Sequence, residues 1–78
     1  MRLTVYHILS LWPHRRAVLD DARKLDPDLD IVAVHRWFQR GSVPGRFWAA
    51  LLEGALHRGL PITAEDFVMA HDGRKDAA

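Results

Sequence analysis

The sequence contains no cysteine. That excludes a disulfide framework and thiolate zinc sites, and it points to a reducing, cytoplasmic setting. No apolar run reaches the roughly 20 residues that a membrane-spanning helix needs. The first residues lack the basic start and unbroken apolar core of a secretory signal. Alternating apolar and polar runs are missing too, so no stretch asks to be a strand. The five glycines, at 41, 45, 54, 59 and 73, form neither a GxGxxG nor a Walker pattern, which leaves no phosphate loop. The five histidines never fall four residues apart, the spacing that sets two ligands on one helix face, so no metal site is expected. Asp20 and Asp21, like Glu65 and Asp66, are sequence neighbours that point in different directions on a helix and do not share a proton. Ser10 and Ser42 have no matching base. The expectation is a non-enzyme without cofactor or membrane partner.

What is present is one small domain of 78 residues. A chain of this size buries roughly 60% of its unfolded surface, so each of its aromatic residues matters. The net charge is only +1, but it is unevenly laid out. Arg2, Arg15, Arg16, Arg23 and Lys24 outnumber Asp20 and Asp21 in the first third. Asp26, Asp28 and Asp30 then stand alone between residues 25 and 30. Arg36, Arg40, Arg46 and Arg58 face only Glu53 in the next block. The acids Glu65, Asp66, Asp72 and Asp76 dominate the last. A near-neutral chain arranged in this way can still present one basic face to a polyanion.

Apolar spacing of three and four predicts an all-α bundle of about five short helices. Thr4 is placed to cap the first, which runs to about Leu11 with Val5, Ile8, Leu9 and Trp12 inward. Pro13 suits the first turn of a second helix reaching Lys24 or Leu25, with Val18, Ala22 and Leu25 inward. Residues 25–30 form a connector that Pro27 keeps from being helical, and Asp28 or Asp30 is placed to cap a third helix over 31–40. Ile31, Val34, Trp37 and Phe38 form the buried stripe of that helix. Gly41 suits its left-handed end, and Pro44 suits the first turn of the next. Ser42 or Val43 caps the fourth helix, which continues to Arg58 and stops at Gly59. Its broad apolar face holds Phe47, Trp48, Leu51, Leu52, Ala55 and Leu56. Thr63-Ala64-Glu65-Asp66 resembles a capping box opening a fifth, with Phe67, Val68 and Ala70 over the core. The domain thus spans 1–71, and 72–78 reads as a frayed polar tail.

The stretch from Val34 to Pro44 carries the functional signal. With Val34 and Trp37 facing inward, His35, Arg36, Gln39 and Arg40 are left on the outer surface. A helix lying in the major groove of DNA needs outward side chains that reach base edges, flanked by groups that pin phosphates. Arg36 and Arg40 can grip guanine or phosphate, Gln39 can read adenine, and Val32 and Ala33 can touch thymine methyl groups. His35 can donate to a phosphate or a base acceptor. Arg15 and Arg16 stand at the start of the second helix, where their charge opposes the helix dipole. An anion bound there supplies the reason, since a helix N-terminus offers free amide groups. Arg46, just past Pro44, is a further phosphate clamp.

The run Val34-His35-Arg36-Trp37-Phe38-Gln39-Arg40-Gly41-Ser42-Val43-Pro44, followed by Phe47-Trp48, resembles a pattern of small phage-type repressors of the Cro/C1 helix-turn-helix class. In that class Val-x-x-Trp-x-x-Arg-Gly-Ser-Ile/Val-Pro ends the recognition helix, and an aromatic-Trp pair follows. Leu11-Trp12-Pro13 and Arg58-Gly59-Leu60-Pro61-Ile62-Thr63 also fit, so the resemblance covers roughly residues 4–71. It implies a five-helix, sequence-specific regulator of double-stranded DNA, usually a homodimer on a two-fold-related operator. The chain departs from the pattern between Lys24 and Ile31, where the connection is longer, acidic and carries Pro27. Its third helix also begins with Ile31-Val32-Ala33, which suits thymine methyl groups or a protein surface better than hydrogen-bonded readout. The expected function is a phage or mobile-element repressor or activator. The rival is a protein-interaction module on the same fold, an antitoxin or an adaptor for another regulator or RNA polymerase.

Overall fold

The computed structural model describes the backbone of residues 4–77 and the side chains of residues 4–71. The expected polar tail, 72–78, falls outside the described side chains. Among the described residues five helices follow one another: α1 (Val5–Leu9), α2 (Arg15–Ala22), α3 (Ile31–Arg40), α4 (Trp48–Arg58) and α5 (Ala64–Ala77). A 3-10 turn, Gly45–Phe47, leads into α4. No strand occurs among the described residues, as the missing alternation predicts. No helix among them is long and apolar enough to cross a membrane.

α3 packs against α1 and α2, α4 against α2 and α5, and α5 closes back onto α1. The core they enclose contains Val5, Ile8, Leu9 and Trp12 from the first segment, Val18, Leu19 and Ala22 from α2, and Val34 and Trp37 from α3. Phe47, Leu51, Ala55 and Phe67 belong to it as well. Apart from Leu19, these are the positions that apolar spacing marks as inward. Three positions read as inward are not: Leu25, Val68 and Leu56 are 48%, 43% and 77% exposed. α2 ends at Ala22 and the chain turns before Leu25, so helical spacing no longer applies there. α4 and α5 each meet the core over a narrower arc than their apolar composition suggests.

Several ends follow local chemistry. Thr4 Oγ1 accepts the His7 amide at 3.2 Å, the expected cap of α1. Thr63 and Asp66 cap reciprocally: the Thr63 amide donates to Asp66 Oδ2 at 2.8 Å, and the Asp66 amide to Thr63 Oγ1 at 3.4 Å. Gly41 and Gly59 take φ of 67° and 73°, the left-handed ends of α3 and α4. Other ends differ from expectation. His14, not Pro13, opens α2: its Nδ1 accepts the Ala17 amide at 3.1 Å, a task more often given to Ser, Thr, Asp or Asn. Asp30 holds the N-cap position of α3 without a side-chain hydrogen bond. Neither Ser42 nor Val43 caps α4, because the 3-10 turn intervenes and Val43 is drawn into the core.

One buried polar group ties the bundle together. The Asp21 side chain on α2 is 7% exposed. Its Oδ2 accepts from Trp12 Nε1 at 2.7 Å and from Arg58 Nε at 3.0 Å, and its Oδ1 accepts from Arg58 Nη2 at 3.3 Å. Burial raises its pKa, but the hydrogen bonds from Arg58 and Trp12 and the charges of Arg58 and Lys24 outweigh it and hold the carboxyl below its ordinary value. The partner Arg58 is shifted upward, chiefly by its hydrogen bond to Asp21. Gly54 on α4 makes room: a Cβ there would overlap the carboxylate and stand 2.8 Å from Asp21 Cβ.

Asp21→Asn, which weakens the ion pair while keeping the volume, is expected to lower unfolding stability by about 1–3 kcal/mol in urea titrations at pH 7. Because the folded pKa lies below the ordinary 3.8, folding favours the deprotonated carboxyl. That contribution is complete above 3.8 and drains away as pH falls below it toward the folded pKa. The stability gap between wild type and variant should therefore narrow on acidification through that range. Gly54→Ala is expected to be destabilising by at least about 1–3 kcal/mol, the reverse of the usual gain from alanine in a helix.

Candidate nucleic-acid interface

α3 stands on three supports. Its own Val34 and Trp37 enter the core, with Ile31 and Phe38 half-buried beside them. Trp37 meets Phe47 of the 3-10 turn, ring centroids 5.0 Å apart. The turn leaving α3 is held at both sides of Val43: the Val43 carbonyl accepts from Trp48 Nε1 at 2.8 Å, and its amide donates to His71 Nε2 at 3.0 Å. The other nitrogen of His71, Nδ1, is 2.7 Å from the Phe67 carbonyl. An amide only donates and a carbonyl only accepts, so His71 is neutral with its proton on Nδ1. The Trp48 ring lies 5.7 Å from Phe67 and 4.7 Å from His71, which closes α5 over the turn.

Successive residues on a helix turn by about 100°, which sets Val32, Arg36 and Gln39 within about 60° of arc opposite Val34. All three are exposed, Val32 by 49%. Arg36 and Gln39 have no partner among the described residues. His35 and Arg40 flank this arc and are exposed, whereas Ala33 is half-buried and off to one side. Arg15 and Arg16 project from the first turn of α2 and are exposed. Arg15 reaches α3: its Nη1 lies 2.9 Å from His35 Nδ1, and its Cζ lies 4.1 Å from the centroid of the Phe38 ring.

Arg46 is placed differently from the expectation of a helix first turn. It lies in the 3-10 turn, with its Cζ 4.6 Å from the Phe47 centroid and its Nη2 3.6 Å from Asp26 Oδ2. Both side chains are exposed enough that such a pair contributes at most about 1 kcal/mol. The connector folds onto itself: Arg23 Nε donates to the Leu29 carbonyl at 2.8 Å, and Asp26 Oδ1 accepts the Asp28 amide at 3.1 Å. The acidic segment thereby meets Arg46 and leaves Arg36 and Gln39 uncovered.

The structure brings together six of the sequence candidates, Val32, Arg36 and Gln39 on the outward arc, Arg40 at one flank, and His35 with Arg15 at the other. Ala33 and Arg46 lie apart from them. Reading the sequence missed the Phe38 face under Arg15, the His71 clamp and the His14 cap. No spacing signals the first two, since Phe38 stands 23 residues from Arg15 and His71 stands 28 from Val43. Comparison with protein families, with curated proteins and with solved structures finds no match to this chain.

Replacing His71 with Ala leaves the buried Val43 amide without an acceptor. The expected cost is about 1–3 kcal/mol in thermal or urea unfolding. Backbone amide exchange at Val43 should accelerate more than exchange within α2, because the loss is local to the turn.

Proposed function

We propose that the chain is a sequence-specific regulator of transcription that binds double-stranded DNA, with α2 and α3 acting as a helix-turn-helix. The observation that carries this reading is the outward arc of α3, where Arg36 and Gln39 stand exposed and unpartnered above a Val34/Trp37 core contact. α3 has 10 residues; its length of about 15 Å suits a major groove about 12 Å wide. Arg36 pairs with guanine and Gln39 with adenine, the two side chains that fit those base edges bidentately. Val32 meets a thymine methyl group. Arg15 and Arg16 hold phosphates at the start of α2, Arg40 does so on the far flank of α3, Arg46 is a further clamp from the 3-10 turn, and His35 borders the groove. Ala33, half-buried, contributes least.

The setting is cytoplasmic, and the reading favours a phage-type or mobile-element repressor or activator, consistent with the Val34–Pro44 resemblance to the Cro/C1 class. A homodimer supplies two copies of α3 about one helical turn apart, roughly 34 Å. The exposed Val68 and Met69 on α5 offer an apolar seam for it.

A second reading, a protein-interaction module such as an antitoxin or an adaptor for another regulator or RNA polymerase, draws on Leu25 and Val32. Both are about half exposed beside the acidic connector. Anisotropy titrations on random duplex DNA at two salt concentrations separate the two. Under the first reading, binding weakens steeply with salt, since each phosphate contact releases counterions. Absence of binding at micromolar protein in low salt rejects it in favour of the second. Gln39→Ala is expected to relax sequence choice at one position by about 1–3 kcal/mol, while Arg15→Ala weakens all duplexes alike and lowers the salt slope by about 1.

A further inference from the structure

Arg15 is held by two side chains of α3 at once. Its Nη1 lies 2.9 Å from His35 Nδ1, and its guanidinium carbon sits 4.1 Å from the centre of the Phe38 ring. A guanidinium has donors only, so His35 must present a lone pair at Nδ1 and carry its ring proton on Nε2. Phe38 is itself fixed from behind, meeting the Tyr6 ring of α1 edge to face at 5.5 Å and 89°. His35 and Phe38 stand three apart on α3 and therefore share a side. The first cation of α2 is thus tied to α3, and through Phe38 to α1. One of its five N–H donors is used by His35 and the ring contact uses its face. The remaining donors stay open to an anion.

We infer that His35 and Phe38 are positioning residues: they set Arg15 as a phosphate clamp in register with α3, and His35 acts through Arg15 rather than on the nucleic acid. This rests on the DNA-binding reading and deepens it, replacing a direct role for His35 with an indirect one. An untethered arginine loses rotamer freedom when it meets a phosphate; one already held loses less. The tether also links the clamp to the helix that bears Arg36 and Gln39, so a phosphate contact at α2 fixes the depth of α3.

Substitutions at His35 distinguish the possibilities, because the side chain is exposed and its removal takes nothing from the core. Asparagine places an acceptor oxygen near the Nδ1 position, and glutamine places its amide near Nε2. Affinity is measured by anisotropy on two unrelated duplexes of roughly 20 base pairs, across a salt series, for wild type, His35→Asn, His35→Gln, Arg15→Ala and the double variant Arg15→Ala/His35→Gln. His35→Asn is expected to bind within about twofold of wild type, while His35→Gln loses roughly three- to tenfold on both duplexes with a shallower salt slope. Phe38→Leu, which keeps the apolar volume and removes the ring face, should lose affinity in the same uniform way. The double variant should bind no more weakly than Arg15→Ala alone. Additive losses, or a changed preference between the duplexes, mean that His35 touches DNA itself; the inference then falls and the DNA-binding reading stands. Wild-type affinity in His35→Gln overturns it as well, leaving an idle surface bond. If wild type binds neither duplex, both fall. Independently of DNA, nitrogen-detected NMR should find the His35 proton on Nε2, and a proton on Nδ1 overturns the tether outright.

Discussion

The Asp21 carboxylate is the contact on which the arrangement of the helices depends. Taking a charge out of water is costly unless it is paired and hydrogen-bonded, and a domain of this size has little stability to spare. Asp21 meets both conditions through Trp12 and Arg58, and no buried side-chain nitrogen or oxygen among the described residues lacks a partner. An apolar residue at the same place would fill space with any orientation of its neighbours. A carboxylate demands an indole N–H from the segment after α1 and a guanidinium from the last turn of α4, at fixed distances. Gly54 then lets α4 approach α2 closely. Since α3 lies against both α1 and α2, the same contact decides where α3 stands.

Above that frame, α3 is supported apolarly on one side and presented polar on the other. Val34, Trp37 and Phe47 fix its inner face, while Trp48 and His71 grip both sides of the Val43 peptide that leaves it. This grip matters because α3 ends in a left-handed glycine, after which the chain direction is set by few local contacts. A helix held at its core face and at its exit can present long side chains to a partner without itself moving. Preorganisation of that kind reduces the entropy lost on binding.

The charge layout acquires meaning only in three dimensions. Asp26 of the connector answers both Arg46 and the connector's own Asp28 amide. Arg15, from a different helix, is drawn to α3 by a histidine and a ring instead of by a carboxylate. Neither contact neutralises its charge, so the basic character of the surface survives. A carboxylate in the place of His35 would hold Arg15 as firmly and cancel what it offers to an anion.

The all-α fold was legible from the sequence because apolar residues at spacings of three and four report which side of a helix meets the core, and because Thr4, Gly41, Gly59 and the Thr63/Asp66 pair act on their immediate neighbours. The outward placement of Arg36 and Gln39 followed from the same periodicity, once Val34 and Trp37 were read as inward. Leu56 and Val68 were misread because periodicity reports a face but not how wide an arc the neighbours will cover, and Leu25 because the helix stops before it. The roles of Asp21 and His71, and the tether of Arg15 to α3, lay beyond sequence reasoning altogether. Asp21 reads there as one of two adjacent acids on a helix surface. Its burial arises from where Trp12, Arg58 and Gly54 arrive, and Arg58 lies 37 residues away. Local chemistry therefore determined the helices and their faces. Only the packed structure decided which polar groups meet, because hydrogen bonds between distant residues depend on distances that the order of residues along a chain does not contain.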